Sequence, residues 1–480
     1  MFSTFRRWGV FPSATRPLQA LYWTHRWLGV LGCLLFAMWF VSGVVMTYVG
    51  FPALTDTERR AGLAPLMLVD ARVPASAAMD GLPGPPRRLS LDMLLDEPVW
   101  RIVDANGVRH TESARDGRQA GATGAARAER IARQFSGHPD ARWVETLARD
   151  EWTESNALDP LRPLHRIAVG DDAGTELYVS ALTGEVVRDT TRRERFWNWL
   201  GAVPHRLRFT PSRADSPWWH DAVRWIAGAS IASAVAGAAI GWWRERRQWH
   251  GRGCIAWRGA GALLLLASAA SGGWSMAVHR GFADTPAPVA QAGPMPSLLP
   301  RPPDGAREVR VSWLSGRPLL QWQDAAGPIA VTGLDGAPVF VAQDDILRAA
   351  VQQRPGAAVA SAALLTQPDA HWFGNPVSHP VPVWRIVFAD AESTWLHLDP
   401  ASGQVLGRSD RMSRLNRWLF DGAHRLAFPW LVQHRPAWDM VVLVLSASGF
   451  AVSVRGVVAG WRRARRASTV PALARQCRKA

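Results

Sequence analysis

Of the thirteen histidines in this 480-residue chain, seven sit at the edges of apolar runs: His25, His205, His220, His250, His279, His424 and His434. A neutral imidazole in such a place has a particular use. It is the usual axial ligand of haem b, whose flat macrocycle can lie hidden between helices while ring nitrogens bind the iron from either side. Two imidazoles each about 2 Å from one iron need nitrogens about 4 Å apart, so ligand histidines must converge in space. His205 and His424 form the first candidate pair, because they occupy equivalent places in an internal repeat. His25, before the first apolar run, and His279, after the third, are further candidate haem ligands, with His250 the only other histidine on the side of His25. The competing reading places His205 and His424 on interfacial segments, Arg195–Phe209 and Arg414–Phe428, where Trp, Arg and His sit among lipid headgroups. Arg455 is the one charge well inside an apolar run. It is a candidate partner for a haem propionate, weighed against simple snorkelling to the headgroups.

The remaining chemistry is narrowed by what the sequence lacks. His110, His138, His165, His371, His379 and His397 lie in polar segments, where a surface or sheet role is the default. His220 aligns in the repeat with Asp439, and His434 with Asp215, which argues against a shared ligand role for either. The three cysteines, Cys33, Cys254 and Cys477, form no C-x-x-C-H and no cluster for an iron–sulfur centre. Gly251-Arg252-Gly253-Cys254-Ile255-Ala256 matches a dinucleotide fingerprint in form, but it follows no strand and leads into an apolar run. No H-E-x-x-H, P-loop or Ser/His/Asp order is present, and no catalytic residue is assigned.

These side chains must be positioned by membrane helices. The net charge of +15 would suit a nucleic-acid partner in a soluble protein. The charge map excludes that partner. Residues 1–26 carry four Arg and no acid, residues 244–258 five Arg against Glu245, and residues 455–480 seven Arg and Lys479 with no acid. The basic excess therefore flanks apolar runs, as positive-inside topology requires. The expected plan is a cytoplasmic N-terminus at 1–26, span one at 27–49, a first periplasmic lobe at 50–200 and an interfacial segment at 201–218. Span two at 219–243, a cytoplasmic loop at 244–258 and span three at 259–278 follow. A second periplasmic lobe at 279–414, an interfacial segment at 415–439, span four at 440–461 and a cytoplasmic tail at 462–480 complete it. Span one is expected to be retained, since it is long for a signal peptide and no A-x-A site follows it. The cytoplasmic pieces are too small for a flavin or nicotinamide domain, so electrons would have to come from a membrane quinol or a redox partner protein.

Both polar segments have the signature of folded lobes. A helix at Ala125–Phe135 precedes strand-like runs at Arg142–Leu147, Leu164–Val169 and Glu176–Ser180; the second segment repeats the order at Asp344–Gln353, Ala358–Leu365, Val383–Phe388 and Thr394–Leu398. Stretches at 82–87 and 285–305, rich in Pro and Gly, read as linkers. A shift of 219 residues aligns Pro163–Arg247 with Pro382–Arg466 without a gap, 27 of 85 positions being identical. Such a register implies a parallel internal repeat of an exported sheet, a Trp-rich segment carrying a His, and an inward-running span.

The motifs resemble a known family. Thr24-His25-Arg26-Trp27-Leu28-Gly29 is similar to the H-R-W-x-G entry of PepSY-associated transmembrane proteins. Gly422-Ala423-His424-Arg425-Leu426-Ala427-Phe428-Pro429-Trp430 with His434-Arg435-Pro436 and Trp438-Asp439 resembles that family's L-H-x-x-x-F-P-W…R-P-x-W-D segment. Asp399-Pro400-Ala401-Ser402-Gly403-Gln404-Val405 fits the D-x-x-[TS]-G-x-V ending of PepSY strands, and the first lobe departs from it with Ser180 in place of the Asp. The resemblance implies a four-span α-helical bundle of the bacterial inner membrane with two exported α+β PepSY-like lobes. It raises a ligand role for His25, and it implies a haem-b protein that passes electrons outward, some members being reductases of periplasmic ferric siderophores. The rival expectation is a non-enzymatic module whose lobes bind a periplasmic ligand while the spans only anchor them.

Overall fold

A computed structural model of the chain describes residues 16–208, 217–247, 266–267, 270–272, 299–374 and 379–476. The helices are α1 (Arg16–Tyr48), α2 (Asp56–Gly62), α3 (Ala75–Ala78), α4 (Ala125–Ser136), α5 (Arg192–Leu200), α6 (Ala202–His205), α7 (Pro217–Arg247), α8 (Gln343–Gln353), α9 (Arg411–Asn416), α10 (Pro429–Val432) and α11 (Ala437–Gln476). A π-helical segment, Arg417–His424, continues α9. Fourteen strands are described, β1 (Arg88–Leu94), β2 (Glu97–Val103), β3 (Arg109–Ser113), β4 (Arg142–Leu147), β5 (Leu164–Ala168), β6 (Glu176–Ser180) and β7 (Val186–Thr190) in the first half. The second half holds β8 (Glu308–Leu314), β9 (Arg317–Gln323), β10 (Pro328–Thr332), β11 (Val359–Leu365), β12 (Val383–Phe388), β13 (Trp395–Leu398) and β14 (Val405–Ser409).

Among the described residues three helices contain segments long and apolar enough to cross a membrane: His25–Tyr48 in α1, Asp221–Ile240 in α7 and Ala437–Arg462 in α11. The expected span at 259–278 lies almost wholly outside the described residues, where 266, 267 and 270–272 are helical. Missing side chains let α1 and α11 pack closely. A Cβ at Gly449 or Gly456 would overlap Phe40 or Cys33, and one at Gly460 would lie 2.7 Å from Val30. Small residues at a helix contact let backbones approach where lipid offers no hydrophobic gain.

The strands form three antiparallel sheets. Two are four-stranded, β4-β5-β6-β7 and β11-β12-β13-β14, and the third is six-stranded in the order β10-β9-β8-β1-β2-β3. Helix α4 covers the first of these with Ala128, Ile131 and Ala132 against Ile167, Leu177 and Val179. Helix α8 covers the second with Ile346, Ala349 and Ala350 against Ile386, Phe388, Leu396 and Leu398. Removing Ile346, fully buried there, would cost about 2–5 kcal/mol. The turns closing β6 and β13 both need glycine: Gly184 and Gly403 have φ of 68°, a left-handed conformation open to residues without a Cβ.

The six-stranded sheet joins the two halves through β1 and β8, which pair Leu89 with Val311, Leu91 with Val309 and Asp92 with Glu308. Its core of Leu89, Leu91, Trp100, Ile102, Val309, Leu320 and Trp322 is fully buried or nearly so. At the junction, Glu308 is 0% exposed and meets Arg59 at 2.5 Å, Arg88 at 3.2 Å and Arg310 at 3.2 Å. Burial would raise its carboxyl, but the three guanidiniums overcome that and hold it well below the usual carboxylate range. Strands β1 to β3 and β8 to β10 are not among those read from the sequence. Strand β1 alternates Leu with Ser90 and Asp92, the mark of a half-exposed strand, yet both are buried, and Asp92 receives Arg101 at 3.2 Å. The 82–87 stretch leads directly into β1, and of the 285–305 stretch only 299–305 lies among the described residues, leading towards β8.

Candidate functional site

His205 reaches the membrane helices through a short, stiff path. Thr191 caps α5 in a capping box with Glu194. At Gly201 the chain turns against α1 so closely that a Cβ would lie 2.8 Å from Val45. The single turn α6 then carries His205, whose carbonyl accepts from Trp39 Nε1 at 3.0 Å. Beyond it Leu207 takes a φ of 55°, and its carbonyl accepts from Trp219 Nε1 at 3.2 Å, tying the segment to the start of α7. The second half repeats these links where they are described. His424 closes the π-helical segment, Leu426 has a φ of 55°, and its carbonyl accepts from Trp438 Nε1 at 3.0 Å at the start of α11.

The two imidazoles come together. Their ring centres are 6.1 Å apart with planes inclined by 59°, and Phe420 stacks on His424 at 5.7 Å. Each ring is held by a serine in a helical stretch. His205 Nδ1 lies 3.0 Å from Ser42 Oγ, and His424 Nδ1 lies 3.2 Å from Ser271 Oγ. The hydroxyl hydrogens are already committed, since Ser42 donates to the carbonyl of Met38 at 2.8 Å and Ser271 to that of Ala267 at 2.7 Å. Each serine therefore accepts from an Nδ1–H, which places the proton on Nδ1 and leaves the lone pair on Nε2. Neither Nε2 is hydrogen-bonded among the described residues. The residue after each serine is glycine, and a Cβ at Gly43 or Gly272 would stand 3.3 Å from Cε1 of His205 or His424.

His25 stands near the other end of α1, seventeen residues before Ser42 and so about 25 Å along the helix. Its Nδ1 donates to the carbonyl of Ser233 on α7 at 2.9 Å, which again leaves the lone pair on Nε2. The ring lies over Gly237, where a Cβ would be 2.7 Å from Cε1. Arg455 is exposed on α11, and no carboxylate pairs with it among the described residues. His250 and His279 lie outside the described residues, as does the side chain of His220. His434 is exposed, its Nδ1 donating to the carbonyl of Trp430 at 2.5 Å.

Histidines in the sheets have partners of their own. His165 is buried between Thr146 Oγ1 at 2.8 Å and the carbonyl of Thr123 at 2.6 Å, and His110 faces Asp104 at 3.3 Å. His397 is 1% exposed, accepts from Arg385 Nε at 2.9 Å and stacks on Trp372 at 4.2 Å. Burial, then the charge of Arg385, pushes its pKa down to about 3, so it is neutral in ordinary conditions. The serine supports were not singled out from sequence. A signal existed: Ser42-Gly43 and Ser271-Gly272 are the same dipeptide in two different apolar runs. Scanned against models of protein families, the chain matches none, and no curated protein matches it.

Proposed function

We propose that the chain is a PepSY-type protein of the bacterial inner membrane that holds haem b between His205 and His424 and passes electrons outward to a ferric chelate. The observation that carries this reading is the convergence of the two imidazoles with both Nδ1 atoms donating to serines. Two rings sharing one metal atom, each nitrogen about 2 Å from it, have centres roughly 6 Å apart. The 6.1 Å separation therefore fits a shared iron. Hydrogen bonding at the far nitrogen is the support that metal-bound histidines generally have, because it fixes the tautomer and orients the ring. Bound there, the haem would supply a one-electron carrier. The residues of this chain do the rest: Ser42 and Ser271 hold the protons at Nδ1, and Gly43 and Gly272 leave room for the rings. His25, with its Nδ1 tied to Ser233, is the ligand offered to a second haem on the inner side, and such a pair would make a relay fed by a quinol or a redox partner protein.

The same reading includes four spans, N-in and C-in, with both sheet-bearing segments periplasmic and related by a parallel internal repeat. The recurrence of three strands, a helix, four strands and a helix in each half supports it. So does the recurrence of particular bonds: Asp171 caps Thr175 as Asp390 caps Thr394, and Trp219 reaches Leu207 as Trp438 reaches Leu426.

The test is an absorption spectrum of the purified full chain before and after dithionite. A reduced b-type band that is lost or altered in the His205→Ala/His424→Ala double variant is expected, together with a separate change in His25→Ala. Unchanged haem in both variants would remove both assignments, and a folded, haem-free wild type would put the ligand-binding module ahead.

A further inference from the structure

The second half carries buried polar groups for which the first half has no equivalent. Arg417, at the head of the π-helical segment, is 7% exposed. Its Nε donates to the carbonyl of Ala370 at 2.8 Å and its Nη2 to that of Ala427 at 2.6 Å. Among the described residues the remaining Nη1 is buried with no hydrogen-bond acceptor, and His371 Nδ1 is also buried without a partner. Both groups lie against one indole, the guanidinium carbon 5.1 Å and the imidazole 5.7 Å from the ring centre of Trp418. Arg385 and Arg414 complete the surround, stacked on Trp395 at 4.6 and 4.3 Å, and Trp395 is 5.3 Å from His371.

Among the described residues carboxylates balance this group only at Arg385. Asp369 is engaged by Arg385 at 2.5 and 2.9 Å, and Asp421 by Arg425 at 3.1 Å. Neither Arg414 nor Arg417 makes an ion pair among the described residues. At the 219-residue offset the first half is neutralised. Arg166 and Arg195, the counterparts of Arg385 and Arg414, each lie 3.5 Å from Glu176, where the second half has Trp395. The counterpart of Arg417 is Asn198, whose amide donates to the carbonyls of Gly50 and Glu194 at 3.0 Å. The exchange removes a negative charge and adds a positive one in buried surroundings. A buried donor without an acceptor costs free energy and is rare in folded proteins, so the pair of orphans marks a missing acceptor. Burial, with Asp369 working against the guanidiniums of Arg385, Arg414 and Arg417, leaves His371 below its ordinary value, so the ring is neutral and donates from Nδ1 in the tautomer that carries its proton there.

We propose that Arg417 Nη1 and His371 Nδ1 bind a carboxylate, with Arg414 supplying further positive charge. Two sources share that chemistry. One is a propionate of the haem assigned to His205 and His424, and this source rests on the function proposed above. Arg417 and His424 are seven residues apart at the two ends of one π-helical segment, so both side chains belong to the same short element. The other is a carboxylate carried by a ligand that reaches the second half from outside the membrane.

Titration of the full chain in detergent with protohaem, with haem dimethyl ester, which lacks free carboxylates, and with citrate distinguishes them. Because Arg417→Gln also loses braces to Ala370 and Ala427, His371→Gln and Arg414→Gln are run beside it. For a propionate, the variants weaken protohaem about tenfold or more and leave the ester unchanged, as expected for loss of charge-assisted hydrogen bonds. For an external ligand, haem binding is unchanged and citrate binding falls about tenfold or more. Variants that bind all three probes as wild type does would overturn the proposal, as would a wild type that ignores citrate and does not distinguish protohaem from its ester. A wild type that takes up neither haem refutes the haem reading alone and leaves the citrate titration to decide this one.

Discussion

Replacing Ser42 with Ala removes the acceptor of His205 Nδ1 while leaving the backbone and the neighbouring Gly43 in place. The bond is 3.0 Å long and its serine is 1% exposed. Water has little access to replace it, and an unpaired buried donor costs about 1–3 kcal/mol. Two consequences follow. The haem-free protein should lose stability of that order, read as a lowered midpoint in thermal or denaturant unfolding. A haem held by His205 and His424 as proposed should bind about 10 to 100 times more weakly, the usual effect of removing the hydrogen bond behind a metal-bound histidine, and its midpoint potential should shift as Nδ1 loses its acceptor. Ser271→Ala should do the same through His424, and Ser42→Thr, which keeps a hydroxyl, should restore most of the affinity. The tautomer argument would be refuted if Ser42→Ala left unfolding, haem affinity and potential all as in wild type, because Nδ1 would then have no need of the hydroxyl.

Other substitutions probe separate parts of the molecule. Gly237→Ala places a methyl 2.7 Å from His25 Cε1, so the ring must move. Any inner haem signal should be lost or altered with the outer one retained, and identical difference spectra would contradict the placement of His25. Glu308→Gln leaves three guanidiniums around a neutral amide and should cost about 3–5 kcal/mol near neutral pH. Since its folded pKa is depressed, that stabilisation is present above the unfolded value of about 4.3 and is lost as pH falls through the folded one; a pH-independent cost would count against the ion cluster. Asp189 is raised to about 6 by burial and by Glu58 and Glu194, so the stability held by its protonated form is present below about 3.9 and lost as pH rises through 6. Asp189→Asn should therefore raise the unfolding midpoint more at pH 8 than at pH 4, and the reverse trend would refute the shift.

What could be read along the chain was local. Apolar runs at 27–49, 219–243 and 440–461 correspond to α1, α7 and α11, because a helix needs only its own residues to be apolar for long enough to cross a bilayer. Strands β4 to β6 and β11 to β13 were visible for a similar reason, their apolar residues being punctuated within a few positions, whereas β7 and β14, beyond the Gly184 and Gly403 turns, were not read as strands. The pairing of His205 with His424 was legible because the 219-residue register gives the two histidines the same context, and ring centres 6.1 Å apart agree with it.

Tertiary contact decided the features that depend on a second segment of chain. Ser42 and Ser271 are unremarkable hydroxyls in apolar runs until folding brings imidazoles from 163 and 153 residues away against them. Only then does the prior commitment of each hydroxyl to its own helix choose the tautomer. Gly237 reads as a small helical residue, and its use as the floor beneath His25 comes from the contact of α1 with α7. Strands β1 and β8 were not read from the sequence, where Asp92, Glu308 and their arginines are simply charged, and only their pairing shows those charges neutralising one another inside. Arg417 lay unnoticed inside the interfacial segment Arg414–Phe428, and His371 among histidines given a surface or sheet role. Whether a charged group is solvated or stranded depends on what surrounds it in three dimensions, and the free energy of a buried donor is set by that surrounding rather than by its neighbours in sequence.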